Sequence, residues 1–466
     1  LPVALRETED EGERAMTLST GQKVGWGLAD MGIVVFVMVK QLLVLDFLTN
    51  FLGVPAGVAG LVTSGILIFD IITDPIIGYM SDRTRTRFGR RAPWIATGAV
   101  VLVAGMIGMF AAPASEGGAW GLSVAWLGGF FVLATLGFTM AAIPYAATAG
   151  EMTNDPAERS RMLAWRMVFA SLGILIGGGL VPALAGGTRE GHLDAVVTIT
   201  PVVLLAIWAS LWATRKAPRI SEPSGARFTE MLRIVLTNRA FLILVVFYGI
   251  MTLSIAQITA GMPFAARYLV TDGGGSPFSG AVAGGLPILT LLFAPFVLGA
   301  MVSQPLWAIL SIRSSKLTAM GLGVVAYCGV LALLWSALPS NDLTQMVLLL
   351  LLAGVANGAY QAIPWALYPD LMDVTRSETG EAIEGAFSAV WLFGQKVANA
   401  LAPALLGGII AAAGWQESSA GFAKQSEEAL SALQSAMTLV PLGILAIAFL
   451  VLVLAYRPAA RRVLAS

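Results

Sequence analysis

Uninterrupted apolar stretches of about 20 residues, each long enough to cross a bilayer as a helix, dominate the hydropathy pattern of this chain. They fall near 23–50, 56–82, 93–113, 118–147, 161–187 and 194–214, then near 240–270, 280–312, 316–338, 343–370, 383–414 and 433–456. That is six and six, parted by the polar run RKAPRISEPSGARFTEMLRIVLTNR over 215–239. Within this run FTEMLRIVL is amphipathic enough to lie along a membrane surface. A tail over 1–22 precedes the first bundle (23–214), and a tail over 457–466 follows the second (240–456). The first tail is polar and acidic, with no apolar core of signal-peptide type. It starts at Leu1, and Met16 would serve equally well as a start.

Lysine and arginine sort sharply by side. Loops after even-numbered segments hold sixteen, whereas Arg189 and Lys424 alone sit in loops after odd-numbered ones. The positive-inside rule then places both termini and the central loop in the cytoplasm. The two halves also echo each other. DPIIGYMSDRTRTRFGRRAPWIATG in the second segment has a worn counterpart in SQPLWAILSIRSSKLTAMGLG in the eighth, and AAIPYAATAGEM in the fourth matches QAIPWALYPDLM in the tenth. Such repeats mark proteins that rock two bundles about a central site. The expected fold is an all-α membrane protein, twelve transmembrane helices in two six-helix bundles with inverted repeats.

Composition narrows the function. Of the 466 residues 57% are hydrophobic and 12% charged, about half the charge share of a soluble chain. Net charge is zero, which implies no nucleic-acid partner. One cysteine, Cys328, and one histidine, His192, leave no disulfide framework and no metal cluster built on them. His192 is expected in a polar loop, which excludes a histidine proton relay inside the membrane. A lipid-acting enzyme would need a nucleophile with a base, or a metal cluster, and these counts argue against both. The 51 glycines suit closely packed helices.

Charges inside apolar segments are costly and therefore functional candidates. Asp70 and Asp74 lie one turn apart on the second segment, and Pro75 frees the Ile71 carbonyl beside them. Two close carboxylates in low dielectric cannot both stay ionised without a counter-ion, so a proton or Na⁺ stabilises them. Their oxygens suit a hard cation. The bland alternative is a structural ion pair with Arg166 of the fifth segment or Lys396 of the eleventh. Lys40, mid-segment, either meets an acid on another helix or an anionic group of a substrate. Asp30 is expected in a structural pairing, and Asp46 and Arg267 are expected to snorkel at helix ends. The loop after the second segment carries Asp82, Arg83, Arg85, Arg87, Arg90 and Arg91. Asp82, Arg83, Arg90 and Arg91 are expected to form an inner gate, with Asp370, Asp373, Glu381 and Glu384 after the tenth segment as the acidic partners. The alternative for the arginines is topology alone.

The segment G-x-x-S-D-R-x-x-x-x-x-G-R-R over 78–91 resembles the loop 2–3 signature of the major facilitator superfamily. More narrowly, DIITDPIIGY from Asp70 is similar to the glycoside–pentoside–hexuronide:cation symporters, the melibiose-permease family. GLADMG (27–32), TMAAIP (139–144), RMVFASLG (166–173), IPWALYPDLMD (363–373), TGEAIEG (379–385) and FGQK (393–396) agree with it. The resemblance spans all twelve segments. It implies a coupling-ion site for Na⁺ or H⁺ from Asp70, Asp74 and Thr139, with Thr73 where melibiose permeases carry asparagine. It also implies that Arg166 and Lys396 line the same centre, and that no other cofactor is needed.

The sugar site transfers poorly. Family aspartates fall at Val34 and Ala142, a tryptophan at Ala146, a tyrosine at Phe138 and a glutamine at Trp391. Losing paired donors and acceptors leaves a more apolar cavity, with Trp391 and Trp365 at its substrate wall. The expectation is a cation-coupled symporter of the bacterial inner membrane, acting as a monomer on a small organic solute. A sugar-like substrate and a more hydrophobic or lysolipid-like amphiphile both remain open, and a non-transporting sensor is the rival from another class.

Overall fold

The structure is a computed structural model that describes residues 18–115, 118–153, 155–218, 228–379 and 384–460. Twelve helices are long and apolar enough to span a membrane. The first six are α1 (Thr20–Leu42), α2 (Ala56–Arg83), α3 (Ala92–Phe110), α4 (Gly121–Met152), α5 (Glu158–Ala185) and α6 (Arg189–Ala213). The second six are α7 (Arg239–Tyr268), α8 (Ile288–Arg313), α9 (Lys316–Ala337), α10 (Leu343–Met372), α11 (Ala386–Ala412) and α12 (Glu427–Ala459). A short helix over Phe228–Thr237 occupies the amphipathic stretch of the central loop.

Local chemistry sets where these helices begin and bend. Ser19 opens α1 with a capping box, its hydroxyl accepting from Gln22 N while the Gln22 side chain accepts from Ser19 N. Thr188, Asn238, Ser315 and Asp342 cap α6, α7, α9 and α10 in the same sense. Pro364 has no N–H to give, and α10 breaks there into Leu343–Ala362 and Pro364–Thr379. Its counterpart Pro144 is carried inside an unbroken α4. Beyond Leu42 the first helix continues as Val44–Asp46 and a wider turn over Phe47–Phe51.

The repeat seen in the sequence returns as packing. In the first half α1 packs on α5 and α6, α2 on α4, and α3 on α4 and α6. In the second, α7 packs on α11 and α12, α8 on α10, and α9 on α10 and α12. Small residues permit these approaches. A Cβ on Gly137 of α4 would stand 2.2 Å from Leu102 N of α3.

The halves meet through α2 against α11 and α8 against α5. The α2–α11 seam is tight at the end opposite the arginine loop. There a Cβ on Gly60 would lie 2.5 Å from Pro403 O, and the Ser64 hydroxyl accepts from Ala404 N at 3.0 Å. Ile72, Ile76, Tyr79 and Met80 continue an exposed stripe that runs along α2 from Leu61 through Ile68. The bundle is closed at one end.

Candidate functional site

Helix pitch puts Asp70 and Asp74 on one face of α2, and the fold turns that face toward α4, α1 and α11. Asp70 is only 3% exposed. Its Oδ1 accepts from the Thr139 hydroxyl at 2.9 Å, and its Oδ2 faces Lys396 Nζ at 3.2 Å and Lys40 Nζ at 3.5 Å. Asp74 Oδ1 faces the same Thr139 hydroxyl at 3.2 Å, and its Oδ2 pairs with Lys396. Two carboxylates, two ammoniums and one hydroxyl therefore form a single cluster, built from four helices and both halves.

Thr73 shares the turn but not the cluster. Its hydroxyl is turned back onto the helix, 3.1 Å from Asp70 O and 3.2 Å from Phe69 O. Lys40 and Lys396 both lie near the Phe138 ring, at 4.5 and 5.8 Å from its centroid. Their degrees of freedom differ. The Lys40 side chain is 6% exposed and that of Lys396 26%.

Arg166 lies elsewhere. Its Nε donates to Asp30 Oδ2 at 2.8 Å, so the two close an ion pair between α1 and α5 rather than joining the acids of α2. Asp30, expected in a structural pairing without a named partner, thus meets Arg166. Arg166 packs at the level of Gly27 of α1, where an added Cβ would stand 3.0 Å from Arg166 N, whereas Asp70 faces Lys40 further along that helix.

The aromatic wall forms on α7, α10 and α11. Trp391 is 1% exposed and stacks on Tyr248 at 4.2 Å and on Tyr368 at 5.2 Å. Trp365 crosses it edge-on at 6.0 Å and is the exposed ring of the group. Trp391 is thus packed beneath the surface it was expected to line. Its Nε1 is buried with no partner among the described residues.

At the arginine-loop end the charges pair within each half. Arg91 meets Asp82 at 2.9 Å, and Arg90 and Arg91 both meet Glu151 of α4. Arg83 lies over the Tyr79 ring, at 4.1 Å. Asp370 accepts from Lys316 of α9 at 2.5 Å. Among the described residues, Asp370 is therefore engaged with Lys316 and not with these arginines. The Asp373 side chain, with Glu381 and Glu384, lies outside what is described.

The closed end carries contacts that spacing alone did not reveal. Asp46 and Arg267, expected to snorkel separately, pair with each other across the halves at 3.1 Å. Arg267 also donates to Gly421 O and lies over the Phe51 ring. Asn50 donates to Asp46 Oδ1 at 2.7 Å and accepts from Tyr268 OH at 3.0 Å. Ser418 N and Gly421 N then donate to Thr49 O and Asn50 O, strapping the α11–α12 loop over the end of α1. Opposite charges at matching ends of α1 and α7 were the available signal. His192 is nearby, in the first turn of α6 rather than in a loop, buried among Phe47, Phe51 and Phe110.

Comparison with known proteins adds family and fold. A family model described as MFS/sugar transport protein matches residues 25–457. The inner membrane symporter YicJ of Escherichia coli (strain K12) is 25% identical over 432 residues, covering 92% of this chain and 90% of its own. The putative glycoside/cation symporter YagG of the same strain is 25% identical over 445 residues, covering 93% and 91%. The sphingosine-1-phosphate transporter MFSD2B of Mus musculus is 25% identical over 490 residues, covering 98% and 94%. A crystal structure of a bacterial homologue of the human lysosomal transporter Spinster, inward-facing and unoccupied, aligns with a TM-score of 0.64. It covers 95% of this chain and 96% of that one at 17% identity, a likeness of fold alone.

Proposed function

The chain belongs to the MFS/sugar transport protein family, and on that premise we propose that it is a cation-coupled symporter working by alternating access. Its cargo is a small organic solute, and its place is a bacterial-type inner membrane with both termini in the cytoplasm. The relatives' names support the coupling, since two of them are symporters. The observation that carries the reading is the buried cluster of Asp70, Asp74, Thr139 and Lys396 at the seam between the halves.

The physics runs as follows. Lys396 is the counter-charge that keeps the acids ionised when no coupling ion is bound. A proton, or a Na⁺ held by the Asp70 and Asp74 carboxylates with the Thr139 hydroxyl, would replace it there. Lys396, partly exposed, is then released to donate to the solute. A bond across the seam gives way as ion and solute load together, and that exchange links binding to the movement of the halves. With the arginine loop on the cytoplasmic side, the state described here faces inward. The pairing of Arg90 and Arg91 with acids after α10, Asp370 and Asp373 among them, belongs to the opposite state.

Substrate class is read from what the centre lacks and what it presents. By the resemblance, Val34, Ala142 and Ala146 fall where melibiose permeases carry sugar-binding residues, and Trp365 presents an exposed ring. Another glycoside fits, with its ring faces on the aromatics. A lysolipid-like amphiphile is the second reading, favoured by this apolar lining and by the name of the mouse relative.

A thermal-shift screen of the purified protein against glycosides and lysolipids, each with Na⁺ or at varied pH, tests the proposal. Mass action predicts that one solute class raises Tm, and more so with the coupling ion. A solute that stabilises equally in every ionic condition would contradict coupling.

A further inference from the structure

Lys40 takes no part in the coupling scheme above, yet it touches the same carboxylate. Its ammonium is 3.5 Å from Asp70 Oδ2, and the residue is 5% exposed. The rest of its surroundings are aromatic, with the Phe36 and Phe138 ring centroids at 5.2 and 4.5 Å. A charge so placed cannot leave Asp70 without being stranded in an apolar pocket. Lys396 differs, because its side chain is 26% exposed and reaches the acids from the other half.

Oxygen accounting leads further. The carboxylate oxygens of the pair are largely engaged: the one Thr139 hydroxyl proton is shared between the two Oδ1 atoms, Lys40 and Lys396 face Asp70 Oδ2, and Lys396 faces Asp74 Oδ2. Thr73 turns its hydroxyl onto backbone carbonyls instead. A hard metal ion needs several free oxygens in one shell. Releasing Lys396 opens Asp74, but Lys40 still holds Asp70. Once Lys396 has left, a metal ion would still have to share Asp70 with the Lys40 ammonium in a buried shell, whereas a proton needs only one free carboxylate oxygen on Asp74.

We propose that Lys40 is a tethered cation standing in the place of a coupling Na⁺, so that this acid pair does not take Na⁺ while Lys40 is present. Lys40 is then the residue that determines ion selectivity, and the inference rests on the Asp70–Asp74 coupling reading. Of the two ions left open above, it removes sodium. A lysine on this turn of α1 is also a difference to look for between sodium-dependent and sodium-independent relatives.

The test reads Na⁺ binding directly and needs no substrate. Thermal unfolding of the purified protein is measured in rising NaCl against choline chloride, for wild type, Lys40→Met and Lys40→Gln. Wild type should show no difference between the salts. The Lys40 variants should gain a saturable, Na⁺-specific rise in Tm of about 2–4 °C, and adding Asp70→Asn should abolish it. Folding of each variant is checked by monodisperse elution in detergent, and equilibrium binding of radioactive Na⁺ to wild type supplies a reading independent of the variants. Na⁺-specific stabilisation or Na⁺ retention by wild type would overturn the proposal, as would folded Lys40 variants that stay indifferent to Na⁺. If wild type binds Na⁺ and Asp70→Asn removes it, this inference falls and the coupling reading stands. If neutralising both acids leaves ion-driven uptake intact, the coupling reading itself falls.

Discussion

Thr139 carries one hydroxyl proton and faces two carboxylate oxygens, at 2.9 and 3.2 Å. It therefore holds the acids at a common distance and would offer its own oxygen to an ion. Thr139→Val keeps the shape and removes the group. Losing a hydrogen bond to a charged partner is worth roughly 1–3 kcal/mol, so ion activation of uptake should weaken about tenfold or more while the purified protein elutes normally. A dose–response of uptake against the coupling ion checks this. Thr73→Val should change ion activation little in comparison, because the Thr73 hydroxyl is directed at the backbone. Spacing along α2 was enough to find Asp70 and Asp74, since i and i+4 share a face. It could not find the partners, because which cation faces which acid depends on the depth and rotation of four separate helices. Lys40 and Arg166 show this best. The first has a partner that its own helix does not reveal, and the second closes on Asp30 instead of the central pair.

Among elements, the α2–α11 seam is the one that the proposed alternating access would open and close. Its close approach at Gly60 depends on the missing side chain, as a Cβ there would stand 2.5 Å from Pro403 O. Gly60→Val should wedge the seam at its closed end, at a cost of about 1–3 kcal/mol to that state. With Cys328 replaced by Ala, a cysteine introduced at the buried Ser64 should then react faster with a thiol reagent than it does beside Gly60. Unchanged labelling would mean that the seam does not govern access. Helix positions and the repeat were legible because twelve apolar stretches and matched prolines leave little choice. The break in α10 at Pro364, beside an unbroken α4 at Pro144, was not, because a helix carries a proline or breaks at it according to its neighbours.

For the whole molecule, the proposed alternation would have to break the strap at the closed end. Asp46 and Arg267 join the halves there, with the Asp46 side chain 2% exposed. Arg267→Met leaves that carboxylate buried without its cation, a loss of about 3–5 kcal/mol for broken buried pairs. The expected result is a lower Tm and a population shifted toward opening at this end, read by labelling of cysteines placed in the α11–α12 loop. The Asp46→Asn/Arg267→Met double variant should recover part of the stability, as no buried charge is left unmatched. Hydropathy gave these residues to helix ends, and only the way the two halves lean together brings them into one pair.

The central claim is that Asp70 and Asp74 couple a cation to solute movement. Once the screen has supplied a substrate, its accumulation is measured in sealed vesicles under an imposed cation gradient, for wild type, Asp70→Asn and Asp74→Asn at matched protein levels. The account predicts accumulation by wild type that collapses with the gradient, and a loss of ion-driven uptake of about a hundredfold in either variant, from the roughly 3 kcal/mol of a broken buried charge cluster. Full gradient-driven accumulation by both variants would contradict it.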